Sequence, residues 1–202
     1  MSHELILVRH GETLHNVAGI AQGWQDSALS EKGERQVRAL ARRLRDAGVD
    51  ALYSSPLQRA LSTAAAIREE TGLPIHVLED LREMSYGTWE GRSFLDVRRE
   101  NEELYQQWIL DGGTRCPEGE SHDDVRQRMT RAFAHIEAQG GARAVAVAHG
   151  TANRVGATAL MNLPVMASRH FAADNASLNV FVWRLDRWVL RRWNDTAHCA
   201  EL

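Results

Sequence analysis

Apolar positions along the chain fall into two patterns that alternate with each other. Short apolar runs of strand length occupy residues 5–8, 50–55, 75–78 and 144–148. Between them, apolar residues recur every three to four positions, which predicts amphipathic helices. This alternation predicts one three-layer α/β/α domain over residues 1–202, with a mostly parallel central sheet. A hairpin over residues 178–192 adds an antiparallel edge strand.

Capping and helix-breaking residues set the limits of the predicted helices. Ser30 is a suitable N-cap, and the helix that follows it ends at Gly48. Ser121 is predicted to cap another helix, which Gly140 and Gly141 end. Further helices are expected after Pro56, over residues 94–110 and over residues 152–161. Residues 111–120, which include glycine and proline, are predicted to form a mobile loop at the site.

Two of the predicted strands run directly into a His-Gly pair. The first strand is followed by Arg9, His10 and Gly11, and the strand over residues 144–148 by His149 and Gly150. Open α/β sheets bind their ligands at the carboxyl ends of the strands. Both imidazoles are therefore expected in one crevice, although a single histidine after a strand is more often structural than catalytic.

Arginines add positive charge to the same predicted crevice. Arg9 precedes His10, and Arg59 follows the Ser-Ser-Pro turn that ends the strand over residues 50–55. Guanidinium groups bind phosphate oxygens in pairs of hydrogen bonds, so two arginines and two imidazoles suit a phosphate dianion without a metal ion. The residues therefore predict a phosphate site.

These residues and further blocks resemble the signature of the histidine phosphatase superfamily, in its phosphoglycerate-mutase-like branch. The matching blocks follow the family's order from residue 5 to about residue 182, and the pattern is closest to small α-ribazole and broad-specificity phosphatases. The blocks comprise residues 7–13 with Asn16, Gln22-Gly23, residues 29–36, 53–64, 81–91 and 117–121, residues 147–150, and Asp174-Asn175-Ala176-Ser177.

The resemblance assigns catalytic roles to five residues. It implies that His10 is the nucleophile that becomes phosphohistidine, and that Arg9, Arg59 and His149 hold the transferring phosphoryl group. Glu83 would donate a proton to the leaving oxygen. The residues alone do not choose among the acids of this segment, which also include Glu79, Asp80 and Glu90.

The resemblance also predicts the substrate side of the pocket. Asn16, Gln22, Gly23, Tyr86 and Gly150 are expected to contact a small-molecule phosphate ester. Neither a cofactor nor a metal ion is expected. Specificity is expected from the loop around Trp24 and Gln25, from the segment after Gly91 and from residues 111–120. Two interpretations are open for Arg92, Arg98, Arg99 and Arg115: they bind a second anionic group on the substrate, or they are surface charges.

Within the family, the sequence favours a phosphatase over a phosphomutase. The mutases typically have an arginine directly after the acid, where this chain has Met84, and they have a longer insertion before the second histidine. Glu83 and His149 are only 66 positions apart (149 − 83). A phosphoserine phosphatase and a sugar-phosphate phosphatase both remain open as alternatives.

Composition excludes several other classes of function. The formal net charge is −3, so nucleic acid is not an expected partner despite the arginines and tryptophans of residues 183–193. No apolar run approaches the roughly 18 residues that suggest a membrane span. Two cysteines without a C-x-x-C pair fit a cytoplasmic protein. The Trp-rich hairpin is a candidate homodimer contact.

Two other functions are compatible with parts of the sequence. The nine histidines suggest a possible metal site, but the sequence has no H-x-H or H-E-x-x-H arrangement. A non-catalytic scaffold on the same fold is a further alternative, because fold does not determine function. The presence of all five proposed catalytic residues favours the enzyme.

Overall fold

A six-stranded sheet forms the centre of the computed structural model, which describes residues 4–200 and 202. The strands are β1 (Glu4–Arg9), β2 (Ala51–Ser54), β3 (Ile75–Val77), β4 (Arg143–Ala148), β5 (Leu178–Arg184) and β6 (Arg187–Asp195). Their order across the sheet is β3-β2-β4-β1-β5-β6. The first four are mutually parallel, and β5 runs antiparallel to both of its neighbours.

The predicted fold class is confirmed, with one refinement at the sheet edge. The antiparallel strand was expected at the edge, but it lies one position inside. The hairpin turn at Leu185 and Asp186 reverses the direction of the chain. As a result, β6 pairs with the outer side of β5 and is the edge strand. Both turn residues have positive φ, as two-residue hairpin turns require.

Helices cover both faces of the sheet. They are α1 (Leu14–Val17), α2 (Glu31–Arg45), α3 (Gln58–Thr71), α4 (Phe94–Glu100), α5 (Glu102–Leu110), α6 (His122–Gln139) and α7 (Gly150–Leu160). Short 3-10 turns occur at Glu79–Leu81, Gly87–Trp89, Val165–His170 and Ala197–Cys199. The predicted caps at Ser30 and Ser121 are confirmed, since each hydroxyl accepts a backbone N–H of the first turn.

The alternation of side chains along β1 divides the core into two layers. Ile6 and Val8 pack with α2 and α3 on one face of the sheet. Leu5 and Leu7 point to the other face, where α6 and α7 cover them. Because both faces of the central strands are buried, β1 and β4 are apolar without interruption between their charged first residues and their carboxyl ends. Beyond these apolar runs, polar side chains reappear at Arg9 and His10 where β1 ends and at His149 after β4.

The predicted single helix over residues 94–110 is wrong, because the chain breaks at Asn101. This residue has φ −146° and ψ 77°, outside the helical region, and it ends α4 and begins α5. Its side-chain oxygen accepts the N–H of Leu104 at 3.0 Å. An asparagine that caps a new helix competes with continuation of the preceding one.

No helix among the described residues is long and apolar enough to cross a membrane. The single domain, the cytoplasmic location, the homodimer and the absence of a nucleic-acid partner stay predictions from the sequence.

The loop after β1 lies directly against the first turn of α2. Glu12 accepts the N–H of Ser30 at 2.9 Å, and its own N–H donates to the side chain of Gln36 at 2.9 Å. Gly33 permits this approach, because a Cβ atom there would lie 1.9 Å from the carbonyl oxygen of Glu12. The first turn of α2 therefore fixes the path of the chain just after His10.

Gly33→Ala is expected to destabilise the protein by about 2 kcal/mol, because the added methyl group overlaps backbone that cannot rotate away. In an unobstructed helix the same change stabilises by roughly 1 kcal/mol, so the sign of the effect is diagnostic. Urea unfolding of the variant measures it, with the exposed Arg35→Ala on the same helix as control. An unchanged or raised free energy of unfolding would show that the loop can move away from α2.

Candidate active site

A cleft of about 210 Å³ opens at the carboxyl ends of β1 and β4. Nine of the ten residues predicted for the site line it, and they are Arg9, His10, Asn16, Gln22, Gly23, Arg59, Glu83, Tyr86 and Gly150. The tenth, His149, lies behind the wall of the cleft. Five further residues line the cleft, which are Ile20, Phe94, Thr151, Arg154 and Ala173. Of these, only Phe94 lies in a segment that was predicted to contribute to specificity.

His10 is held as a neutral imidazole with one defined tautomer. Its Nδ1 lies 2.7 Å from the carbonyl oxygen of Gly11, and since a carbonyl can only accept, Nδ1 holds the proton. Nε2 therefore has the free lone pair. Burial, reinforced by the charges of Arg9 and Arg59, keeps the pKa of His10 well below its usual value. The ring therefore remains unprotonated at neutral pH.

His149 packs against His10 from inside the protein. The two ring centroids are 5.1 Å apart, and Nε2 of His149 lies 2.8 Å from the hydroxyl of Ser55. Burial, together with the charge of Arg59, also keeps the pKa of His149 well below its usual value. Its Nδ1 is buried and has no hydrogen-bond partner among the residues that the structure describes.

Arg59 and Arg9 are buried cations fixed by backbone carbonyl groups. Arg59, only 1% exposed, donates to the carbonyl oxygens of Gln25 and Gly23, each at 2.7 Å. Arg9 donates to the carbonyl oxygen of Ala173. Neutral acceptors orient both guanidinium groups, and Arg59 also forms a long ion pair of 3.7 Å with the half-exposed carboxylate of Asp26. In each, Nε is buried without a partner in the described part of the chain.

The residues on the predicted substrate side form one hydrogen-bonded group. The Thr13 hydroxyl donates to the side-chain oxygen of Gln22, and the backbone N–H of Thr13 donates to Asn16. Asn175 donates to both Asn16 and the carbonyl oxygen of His10. Gly23 has a positive φ of 52°, and a Cβ atom there would lie 2.0 Å from the Glu90 carboxylate. The group therefore has little freedom to move relative to His10.

The Glu83 carboxylate binds the N-terminus of α7, the helix that begins directly after His149. Its Oε2 accepts the N–H of Thr151 at 3.1 Å, and its Oε1 accepts the N–H groups of Ala152 and Met84 at 3.0 and 2.9 Å. The first N–H groups of a helix have no partners within the helix and favour negative charge. Glu83 is thus the acid of its segment that reaches the cleft.

The backbone of Glu83 is fixed by two donors that the sequence did not reveal. Arg128 donates to the carbonyl oxygens of Asp80, Arg82 and Glu83, and the Trp24 indole donates to the same oxygen of Glu83 at 2.8 Å. Arg128 also forms a buried ion pair with Glu120 at 2.8 Å. The sequence linked the segment of Glu120 to the site, but it had no signal that linked Arg128 on α6 to the cleft.

Two of the predicted specificity segments do not line the cleft. In residues 111–120, Cys116 is buried and its N–H donates to the carbonyl oxygen of Glu120, so this segment packs behind Tyr86 and Gly87. The loop at Trp24 and Gln25 instead supports Glu83 and Arg59. The segment after Gly91 does contribute, through Phe94.

The arginines proposed to bind a second anion lie outside the cleft. Arg92, Arg98, Arg99 and Arg115 form ion pairs at the surface with Glu100, Glu102, Asp96 and Asp124, respectively. Arg154 lines the cleft instead. Its position five residues after His149, one turn after the start of the helix that follows, was the signal that could have identified it.

No group of three or more histidine, cysteine, aspartate or glutamate side chains within residues 4–200 is arranged to hold a metal ion.

The parallel sheet, the paired imidazoles and the fixed arginines define an α/β protein with a cationic, histidine-containing cleft. Comparison with known proteins identifies the family. The model of the histidine phosphatase superfamily (branch 1) matches residues 5–196. The chain therefore belongs to this superfamily, as its sequence motifs indicated.

Named relatives include both mutase-like and phosphatase-like proteins. The chain is 36% identical to a probable phosphoglycerate mutase, GpmB, of Yersinia pestis, over 96% of this chain and 94% of the relative. Among solved structures, a mycobacterial glucosyl-3-phosphoglycerate phosphatase has a TM-score of 0.89 and 32% identity, with 95% and 99% of the two chains covered. A putative alpha-ribazole-5'-P phosphatase of Escherichia coli has a TM-score of 0.87 and 29% identity, with 96% and 97% covered.

Buried neutral histidines predict a loss of stability in acid, and His122 allows a clean test. Burial lowers the pKa of His122 to about 4. As the pH falls from about 6.5, His122 binds a proton in the unfolded chain, whereas in the folded chain it stays neutral until about pH 4. The free energy of unfolding therefore falls with pH by about 1.4 kcal/mol per pH unit for this residue. His122→Phe should remove this contribution, as urea unfolding at stepped pH values would measure.

Above pH 7, the free energies of unfolding of the wild-type protein and of His122→Phe should change with pH in the same way. At those pH values neither the folded nor the unfolded wild-type chain takes up a proton at His122. Parallel curves between pH 6.5 and pH 4 would contradict the role of His122. The fluorescence of Trp108, whose ring centroid lies 5.2 Å from that of His122, provides a local probe of the same transition.

Proposed function

We propose that this protein is a phosphomonoester hydrolase that needs no metal ion and acts on a small phosphorylated metabolite through a phosphohistidine intermediate. The observation on which the proposal rests is the state of His10. Its imidazole is buried, neutral and fixed in one tautomer by the Gly11 carbonyl oxygen, with its other nitrogen free beside two cations. That is the state required of a nitrogen nucleophile at neutral pH.

In the first half-reaction, Nε2 of His10 attacks the phosphorus atom while the bond from phosphorus to the ester oxygen breaks. Glu83 gives its proton to that oxygen, so the leaving group departs as an alcohol. Phosphoryl transfer depends mainly on in-line positioning of the reacting groups and on stabilisation of their charge, and less on covalent chemistry by the protein. Arg9, Arg59 and His149 supply that stabilisation to the transferring group.

In the second half-reaction, water replaces His10 on phosphorus. The Glu83 carboxylate takes a proton from the attacking water, the N–P bond breaks, and inorganic phosphate leaves with His10 restored to its neutral form. The N–H groups of Thr151 and Ala152 at the start of α7 hold the Glu83 side chain in position for this step. The same residue therefore alternates between acid and base.

The remaining predicted residues are assigned to substrate binding. Asn16, Gln22 and Gly23 form the wall on the side of α1, while Tyr86 and Gly150 form the wall on the side of α7. Burial raises the pKa of the Tyr86 phenol, so this residue keeps its proton as a hydrogen-bond donor. A cleft of about 210 Å³ limits the substrate to a small molecule near the reacting group.

A second candidate is a phosphoglycerate mutase-type phosphoryl transferase, which the name of the Yersinia pestis relative favours. Against it, the residue after Glu83 is a methionine whose side chain is completely buried in the apolar core. Met84 therefore has neither the charge nor the position to hold the carboxylate of a phosphoglycerate. This contrast is why we favour hydrolysis.

His10→Ala is expected to lower kcat for phosphate esters by about a thousandfold or more, because no other side chain replaces the nucleophile. Rapid mixing with substrate followed by an alkaline quench should trap a phosphorylated wild-type chain, and peptide mapping should place the phosphoryl group on His10. His76→Ala, in an exposed histidine on β3, is the control. Phosphate release by His10→Ala at the wild-type rate would disprove the covalent mechanism.

The balance between hydrolysis and mutase activity is measured by the fate of the phosphoryl group. With 3-phosphoglycerate and a bisphosphoglycerate primer, we expect inorganic phosphate to form faster than 2-phosphoglycerate. Phosphorus-31 NMR follows both products in one sample. Isomerisation that outpaces phosphate release would establish the mutase instead.

A further inference from the structure

Arg154 is a cation at the cleft that the proposed mechanism does not use. It lies on α7, one turn after Gly150, the first residue of the helix. Side chains of a helix point back toward its N-terminus, so Arg154 extends to the edge of the cleft that Gly150 and Thr151 form. One of its terminal nitrogens donates to the Thr151 hydroxyl at 3.0 Å.

The charge of Arg154 has no carboxylate partner in the part of the chain that the structure describes. It takes part in none of the ion pairs formed within residues 4–200, and its Nε is buried without a hydrogen-bond partner there. By contrast, the four surface arginines predicted to bind a second anion are all paired with carboxylates. Burial of an unsatisfied charged donor is costly unless a ligand accepts from it.

The balance of charge in the cleft points to an additional anionic group. The lining residues include three arginines and one acid. When Glu83 holds the proton for the leaving oxygen, the formal charge of these side chains is that of the three cations. A phosphate dianion neutralises two of them, which leaves one.

Hydrogen bonds place Arg154 on the same side of the cleft as the proposed proton donor. The Thr151 hydroxyl that accepts from Arg154 also pairs with the Tyr86 hydroxyl at 2.8 Å, and the Thr151 N–H donates to Glu83. Glu83 serves the leaving oxygen in the proposed mechanism. Arg154 is thus next to the leaving group, whereas Arg59 is fixed by the opposite wall, at Gly23 and Gln25.

We propose that Arg154 is a specificity-determining residue that binds a second anionic group on the leaving part of the substrate. This inference rests on the proposed function and narrows it: the substrate is a phosphomonoester with a further carboxylate or phosphate close to its ester oxygen. Nε and a terminal nitrogen of a guanidinium form a planar pair of donors that suits the two oxygens of such a group.

Matched substrate pairs test this assignment. 3-Phosphoglycerate and glycerol 3-phosphate differ in a carboxylate, as do phosphoserine and phosphoethanolamine, while propanediol bisphosphate and its monophosphate differ in a phosphate. We expect kcat/KM of the wild-type protein to favour the more anionic member by about 10- to 100-fold in at least one pair. The preferred pair distinguishes a carboxylate from a second phosphate.

Arg154→Gln should bring that ratio of kcat/KM close to one, and Arg154→Lys should retain part of it as a point charge. Arg99→Gln removes a surface arginine that does not line the cleft, so it should leave the ratio unchanged. Circular dichroism of each variant shows that it is folded. No preference in the wild-type protein, or equal losses on both members of a pair in Arg154→Gln, would overturn the proposal.

Binding without turnover separates this inference from the proposed function. Calorimetry with His10→Ala protein measures the dissociation constants of the same pairs, and Arg154→Gln in that background should abolish the difference between them. If the wild-type protein hydrolyses no phosphate ester, the proposed function fails, while the binding ratio still decides the role of Arg154. Equal binding of both members of every pair by His10→Ala would overturn that role.

Discussion

The contact between the Glu83 carboxylate and the first N–H groups of α7 is the interaction on which the cleft depends. It joins the segment between β3 and α4 to the helix that begins immediately after His149. Since β4 pairs with β1 along its length, fixing the start of α7 also fixes Glu83 relative to His10. A helix N-terminus is well suited to this purpose, because its unpaired N–H groups hold an acceptor at a defined position.

Burial determines the chemistry of the residues that this contact brings together. Two imidazoles without access to water remain neutral beside buried guanidinium groups, and this gives His10 a free lone pair at neutral pH. The hydrogen bonds of both arginines go to neutral carbonyl oxygens, and the carboxylate paired with Arg59, that of Asp26, is half exposed and 3.7 Å away. Much of their charge is therefore available to a ligand. The cleft is therefore organised for an anion before one binds, which avoids reorganisation during the reaction.

Much of the fold and site could be predicted because the relevant signals are local. Apolar runs that end in His10 and His149 mark two buried strands, and Ser30 and Ser121 mark helix starts through a single hydrogen bond each. The break at Asn101 was missed because asparagine occurs both inside helices and at their caps. Arg128 was missed because its acceptors are backbone oxygens 45 to 48 residues away, which leave no pattern along the chain.

The sequence by itself determined the layers of the fold, the strand ends that form the cleft and the identity of the family, because these follow from hydrophobic periodicity and from motifs of fixed spacing. Only the tertiary structure decided which charges face the cleft. Arg92, Arg98, Arg99 and Arg115 are paired at the surface, whereas Arg154 is not paired and points inward. The sequence shows which residues have a formal charge, but the partner of each charge and its exposure to water are set by residues distant in the chain.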